Sequence, residues 1–468
     1  MNHTKIVATL GPASNSPDVI HKLIQAGMNV ARLNFSHGSH GSHAQTIANL
    51  RSIAQELDKP ITILQDLQGP KVRVGQLAND ELTLTEGKSV TLIPEAEFNG
   101  QPATIPLDYA YAAEEAQPGM QILLADGLFE LQIIEVRGNA LVCRVVEGGT
   151  LKSRKGVNFP NLNLRLPSLT DKDLDDLQFG LQQDIDWISL SFVRNADDVR
   201  SLKKILAEQK IFKPVIAKIE KPQAIEHLDE ILGEVNGIMV ARGDLGVELS
   251  PEKVPMLQKH IIEKCKQRGL PVITATQMLE SMIHEPRPTR AEASDVANAI
   301  IDGTDAVMLS GESAVGQFPV RAVEMMGRIA REVEAAIDFK TYPPTGKTEL
   351  HALCKAANLI ADTINPKYIV VHTTSGYTVQ CIAAERPKPP VIALTTDSHV
   401  YHALNLFWGI QPMLIDETTD SFEGLAQVAE NTLRKRKLVT TGDTILVIGG
   451  VPPGHARGAN FVKTHQVK

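Results

Sequence analysis

The stretch that begins at Lys213, KPVIAKIEKPQAIEHLDEILGEVNGIMVARGDLGVE, constrains the chain most. Val215 to Ile219 and Ile238 to Ala241 are short apolar runs of the kind buried in a parallel sheet, and the amphipathic segment between them is about one helix long. The pattern reads strand, helix, strand. Parallel strands share a carboxyl edge, so Glu220, after the first, and Asp244, after the second, emerge on the same side, with Lys218 just before Glu220. Two converging carboxylates suit a hard divalent ion such as magnesium, and a buried lysine beside them suits an anionic substrate. A structural ion pair of Lys218 with Glu220 or Asp244 would leave the same trace, so the rest of the chain has to decide.

Further strand-like runs lie at Lys5 to Leu10, Asn29 to Phe35 and Ile61 to Leu67, separated by helical patterns, and the alternation breaks at Gly69. It resumes after Pro167 with a helix, then strands at Trp187 to Phe192, Val215 to Ile219, Ile238 to Ala241, Val272 to Ala275 and Ala306 to Leu309, eight in all. Eight strands alternating with helices predict an α/β fold, a (β/α)8 TIM barrel, with the helix from about Pro319 to Ile337 last in the outer ring. The predicted barrel comprises residues 1–69 and 168–340. The interruption, 70–167, is short alternating runs broken by EG, NG, PG and DG turns, which predicts an all-β insert, a small β-barrel, after strand 3. Leaving at the carboxyl end of that strand, it would stand over the barrel mouth as a lid. After TYPPTGKTE, read as a linker, residues 341–468 predict an open α/β domain with strands YIVVHT, VIALT and TILVIGG and a final FVKTHQV.

Composition excludes several classes. The formal charge of −8, from 47 basic and 55 acidic residues spread through 468, argues against a nucleic-acid surface. No run of eighteen apolar residues and no positively charged leader occurs, and Cys143, Cys265, Cys354 and Cys381 form no CxxC pair, so a reduced, cytoplasmic location without a membrane is expected.

On the second barrel strand Arg32, Asn34 and Ser36 share one face, a polar and cationic one suited to gripping a phosphoryl group. His37, His40 and His43 invite a metal reading, but the Gly-Ser insertions make the run a loop. Strand 3 ends in Asp66, and GPKVR puts Lys71 and Arg73 at the hinge of the lid. Strand 7 ends at Thr276, whose hydroxyl could position a water or relay a proton, or could merely cap a helix. Thr373, Thr374, Ser375, Gly376 and Thr378 in TTSGYT precede a helix, a recipe for a phosphate site that an ordinary N-cap would share. No P-loop is present.

In order, ARLNFSH, GPKVR, KIEKP, VARGDLGVE, ATQMLESM, PRPTRAE, DVANAI and LSGES resemble pyruvate kinase, as do LADGL and KGVNFP within the insert. The resemblance covers barrel and lid closely and the last domain more loosely. It implies phosphoryl transfer from phosphoenolpyruvate to ADP, the last step of glycolysis, by a homotetramer. Glu220 and Asp244 would ligate magnesium, with manganese as a substitute; Lys218, Arg32 and Arg73 would hold the phosphoryl group. The amides of Gly243 and Asp244 would receive the substrate carboxylate, and Thr276 would face the enolate where a proton arrives. Asp126, Arg154 and Lys155 would close over the ADP or ATP.

Two departures qualify this. Potassium-dependent members bind the monovalent cation at positions matching Asn34, Ser36, Asp66 and the Leu67 carbonyl and carry a glutamate at the Lys71 position, so the reversed charge here predicts activity without added potassium. TTSGYT has Tyr377 where an arginine is common, and the tail from Gly449 lacks the extended loop associated with fructose bisphosphate, which predicts activation by a sugar monophosphate or nucleotide monophosphate. The rival readings are a magnesium-dependent aldolase acting on pyruvate enolate and a non-catalytic sugar-phosphate sensor. An aldolase needs neither lid nor Arg32, and a sensor would have lost Lys218 or an acidic ligand.

Overall fold

The computed structural model describes residues 2–468 except 161, 163, 340–345, 347, 417–418 and 453–457. The linker reading of residues 341–349 therefore lies largely outside the described residues. Eight parallel strands close into a barrel: β1 (Lys5–Leu10), β2 (Val30–Asn34), β3 (Thr62–Asp66), β4 (Trp187–Leu190), β5 (Val215–Ile219), β6 (Gly237–Ala241), β7 (Val272–Ala275) and β8 (Ala306–Leu309). Each pairs with its sequence neighbours and β8 returns to β1. The strands are nearly continuous buried runs because the barrel interior covers one face and the helix ring the other. Register then decides the site: Thr9 stands opposite Arg32, and Asp66 opposite both Asn34 and Ser189.

Two elements differ from expectation. The histidine run is not a loop throughout: the helix His40–Glu56 begins inside it, because Ser39 accepts the Ser42 amide and Ser42 returns a bond to the Ser39 amide, a reciprocal cap that the two intervening residues did not advertise. The C-terminal sheet contains a strand that was not expected, Ile410–Leu414; Pro412 within it masks the pattern, and the strand takes the sheet edge, where a proline is tolerated.

The insert leaves at Gly69, which adopts φ +72, and a Cβ there would lie 2.8 Å from the Ser191 Cβ, so only glycine fits. Its amide donates to Asp173 of the returning helix Asp171–Leu181, tying exit to return. Within it, six strands form one sheet and two another. The outer edges of the larger sheet are joined by the departing segment, for Arg73 bridges Gly156 and Val74 bridges Leu107. The C-terminal sheet has four parallel strands and the antiparallel Phe461–Gln466. It docks at the amino ends of the barrel strands. Val7, Val30, Leu64, Trp187 and Ile216 of the barrel interior share one apolar cluster with Leu404, Leu406 and Phe407.

Candidate active site

At the carboxyl ends of β2, β3 and β5 three charges meet, Arg32 and Asp66 buried and Lys218 part-buried. Asp66, 1% exposed, accepts from Arg32 Nε at 2.7 Å and from Ser189 Oγ at 2.7 Å, and lies 3.5 Å from Lys218 Nζ. Arg32 Nη1 also donates to Thr9 Oγ1 at 2.9 Å. Burial alone would raise the Asp66 pKa, but Lys218 and Arg32 outweigh it and hold the carboxyl below its ordinary value. Asp66 thus braces both cations. Lys218 Nζ donates to Ser191 Oγ at 2.8 Å and stands 3.1 Å from Glu220 Oε1. Burial opposes its ammonium, yet Asp66 and Glu220 raise the pKa above the usual lysine value, so it stays charged.

Glu220 takes the Phe192 amide on Oε2 at 2.7 Å, while Oε1 is buried and accepts no hydrogen bond. Burial lifts its pKa, Lys218 opposes that, and Asp244 adds to the rise. The Lys218 ammonium, 3.1 Å away, compensates that buried oxygen electrostatically without hydrogen-bonding it, and its lone pairs stay open to a further cation. Asp244, from the short helix Arg242–Glu248 after β6, is part exposed and meets Lys71 Nζ at 3.2 Å. Magnesium binds one or two carboxylates together with substrate phosphate oxygens and waters, so this donor set fits that ion. Among the described residues no group of three or more His, Cys, Asp or Glu forms a closed cage.

Lys71 also reaches Asp126 of the insert, at 3.1 Å, and these two carboxylates raise its pKa against burial. Its ammonium is therefore placed between barrel and insert, not against Asn34, Ser36 or Asp66. Asn34 Oδ1 is occupied by the Ser36 amide at 3.1 Å, and the Leu67 carbonyl by Ser191 Oγ at 2.7 Å. Arg73 is held by its amide on Asp108 and by Nη1 on the Arg154 carbonyl at 3.2 Å. Arg154, Lys155 and Asp126 are exposed. A cavity of about 1210 Å³ opens between Asp126 and Gly127 on the insert and Arg242, Gly243 and Asp295 on the barrel, beside the buried charges but not including them.

Thr276 follows β7 with φ +71 and Gln277 with φ +52, left-handed values that are unfavourable for a β-branched residue. Its hydroxyl donates to the Ala275 carbonyl at 2.6 Å and accepts the Gly243 amide at 2.7 Å. The Gly243 amide can receive a substrate carboxylate only by exchanging that bond.

Away from the mouth, TTSGYT behaves as a capped turn. Thr373 Oγ1 accepts the Gly376 amide at 2.9 Å, Thr378 is buried with Oγ1 accepting the Ala459 amide at 3.3 Å, and Ser375 and Tyr377 border a separate cavity of about 600 Å³ beside Trp187, Lys213 and Phe407. Thr374 lies in the same turn, before the helix Tyr377–Ala384. The histidines have partners of their own: His40 pairs with Asp176 at 2.7 Å, and His43 stacks on Phe35 and bonds the His37 carbonyl. Sequence reasoning passed over Thr9, Ser189, Ser191 and Arg242. The serines sit at the end of WISLSF, where a polar residue in a buried strand is itself a signal.

The family model for the pyruvate kinase barrel domain matches residues 1–323, and that for the pyruvate kinase alpha/beta domain matches residues 351–465. The chain belongs to the pyruvate kinase family. Pyruvate kinase 2 of Synechocystis sp. is 46% identical over 471 residues, covering 99% of this chain and 79% of that relative. Pyruvate kinase of Sporosarcina psychrophila is 43% identical over 475 residues, covering 100% and 81%, and that of Agrobacterium vitis 42% over 469 residues, covering 99% and 96%. A pyruvate kinase is a phosphotransferase, and the charges at this barrel mouth suit that chemistry. No helix among the described residues is long and apolar enough to cross a membrane.

Proposed function

We propose that this pyruvate kinase transfers the phosphoryl group of phosphoenolpyruvate to ADP at the cluster of Arg32, Lys218, Glu220, Asp244 and Thr276. The observation that carries the assignment is Lys218, part-buried, held charged by Asp66 and Glu220, and set 3.1 Å from a Glu220 oxygen that accepts no hydrogen bond. Magnesium held by Glu220 and Asp244 would neutralise charge on the phosphoryl and enolate oxygens. Arg32 grips the phosphoryl group while Arg73, with Asp126, Arg154 and Lys155, holds ADP so that a β-phosphate oxygen attacks phosphorus in line. The bond from phosphorus to the enolate oxygen breaks, and Lys218 meets the charge left on that oxygen; a preorganised ammonium in a dry site accounts for roughly 3 kcal/mol or more of the barrier. Substrate carboxylate is received at the amides of Gly243 and Asp244. A proton then reaches the enolate methylene from a water positioned by Thr276, completing pyruvate.

Activity is further proposed to need no potassium, because Lys71 brings a fixed positive charge to the mouth. The placement of that charge on Asp244 and Asp126 supports a role in closing the lid over anionic substrates rather than direct occupation of the Asn34 site. Activation by a sugar or nucleotide monophosphate at Thr373, Thr374, Ser375, Gly376 and Thr378 completes the reading, with a cytoplasmic homotetramer as the assembled form. The barrel at 1–69 and 168–340, the lid at 70–167 and a regulatory domain at 341–468 are its proposed units. Phosphorus NMR tests the reaction: the phosphoenolpyruvate signal should be replaced by the γ-phosphate of ATP in potassium-free buffer with magnesium. Turnover only with potassium keeps the reaction and removes the Lys71 argument. Activation that survives combined Thr373→Ala, Ser375→Ala and Thr378→Ala moves the effector elsewhere.

A further inference from the structure

We infer that Arg242 is a positioning residue for Thr276, holding the left-handed turn that presents its hydroxyl to the enolate; this rests on the proton-handling role proposed for Thr276. Two consecutive residues other than glycine, Thr276 at φ +71 and Gln277 at φ +52, do not keep such a conformation unless their surroundings impose it. The guanidinium of Arg242 supplies that restraint. Nε donates to the Ala275 carbonyl at 3.3 Å, and Nη2 to the Thr276 carbonyl at 2.7 Å with a longer contact to the Gln277 carbonyl at 3.4 Å. Three successive carbonyls of the turn therefore converge on one planar group.

The opposite side of the fork is anchored. Asp295, on the helix Arg290–Ile301, takes Nη1 on Oδ1 at 2.8 Å and Nη2 on Oδ2 at 2.7 Å, and Gln258 takes Nη1 at 3.3 Å. The five N–H groups of an arginine are thus all engaged with protein, which leaves none for substrate and makes the role one of positioning. The next residue acts on the side chain of the same threonine, since the Gly243 amide donates to Thr276 Oγ1 at 2.7 Å. Residues 242 and 243 together set the backbone and the hydroxyl of Thr276. A lysine, a single point charge, could hold one carbonyl but not bridge the turn to Asp295.

The test separates proton handling from phosphoryl transfer by following deuterium exchange at the pyruvate methyl in D2O by proton NMR, with magnesium and ATP present. Thr276→Ala, Arg242→Gln, Arg242→Lys and the double variant Thr276→Ala with Arg242→Gln are compared, with circular dichroism melts to check folding. Both Arg242 variants should slow exchange by about 10²-fold, the scale of a misplaced reacting group, with the KM for phosphoenolpyruvate changed far less. In the Thr276→Ala background Arg242→Gln should add less than about threefold, because two residues acting as one unit are not additive. Asp295→Asn, which keeps the arginine and loosens its anchor, gives an intermediate loss and serves if Arg242→Gln fails to fold. Equal losses from Arg242→Gln in both backgrounds, or exchange as fast as in the unaltered protein, overturn the inference alone. Normal exchange in Thr276→Ala overturns the Thr276 reading and the inference with it.

Discussion

At the carboxyl ends of the barrel strands, buried Arg32, Asp66 and Glu220 surround a part-buried Lys218, one carboxylate oxygen has no hydrogen bond, and the backbone at Thr276 is strained. At the amino ends, polar groups are buried just as deeply but reach outward. Lys5 Nζ donates to the Ile410 carbonyl at 2.5 Å, Trp187 Nε1 to the Ala403 carbonyl at 3.1 Å, and Asn405 Nδ2 returns bonds to the Asn29 and Pro60 carbonyls at 2.9 and 2.7 Å. Arg386 joins the Gly303 carbonyl and Asp305 in the same way. The same eight strands therefore serve two purposes. Their mouth keeps charge and strain for chemistry, whereas their base spends its polar groups on docking the C-terminal domain.

Substitutions at the two ends should separate accordingly. Glu220→Gln removes a mouth carboxylate and should raise the magnesium needed for half-maximal rate by about 10²-fold or more, since even groups that only support a ligand cost 10–100-fold; titration of the rate with magnesium measures it, and an unchanged requirement would place the metal elsewhere. Trp187→Ala at the base should cost about 3–5 kcal/mol of stability, seen as a lower melting temperature, while kcat stays near that of the unaltered protein; a lost kcat in a folded variant would break the comparison. Per pH unit, Lys5 gives the smallest effect. Burial lowers its pKa to about 7, so between that pH and its ordinary 10.5 the unfolded chain binds the proton that the folded one has released. Stability then rises with pH across this window, by about 1.4 kcal/mol per pH unit at most. Lys5→Met should remove that slope, read as melting temperature between pH 7 and 10, and leave the rate of phosphoryl transfer unaffected.

The barrel was legible because its strands are buried on both faces and read as uninterrupted apolar runs, and because Glu220 and Asp244 follow two of them directly. What escaped has physical reasons. Strand Ile410–Leu414 carries a proline that only an edge position tolerates, and the start of the helix at His40 depends on a serine cap rather than on apolar period. Register across β3 and β4 brings Ser189 to Asp66, and register cannot be read from one strand alone. The ammonium of Lys71 illustrates the limit: its charge was visible in GPKVR, but its partners, Asp126 and Asp244, lie in other parts of the chain. Arg242 stood in the open within VARGDLGVE, yet its work is on the carbonyls of a turn more than thirty residues away.

The most direct test of the account is the initial rate of pyruvate formation from phosphoenolpyruvate, ADP and magnesium in potassium-free buffer, for the unaltered chain, Lys218→Met and Asn405→Ala. The account expects turnover in the unaltered chain and in the base variant, and a fall of about 10³-fold in Lys218→Met, the loss typical of a missing group that meets transition-state charge. Unimpaired turnover in Lys218→Met would contradict it.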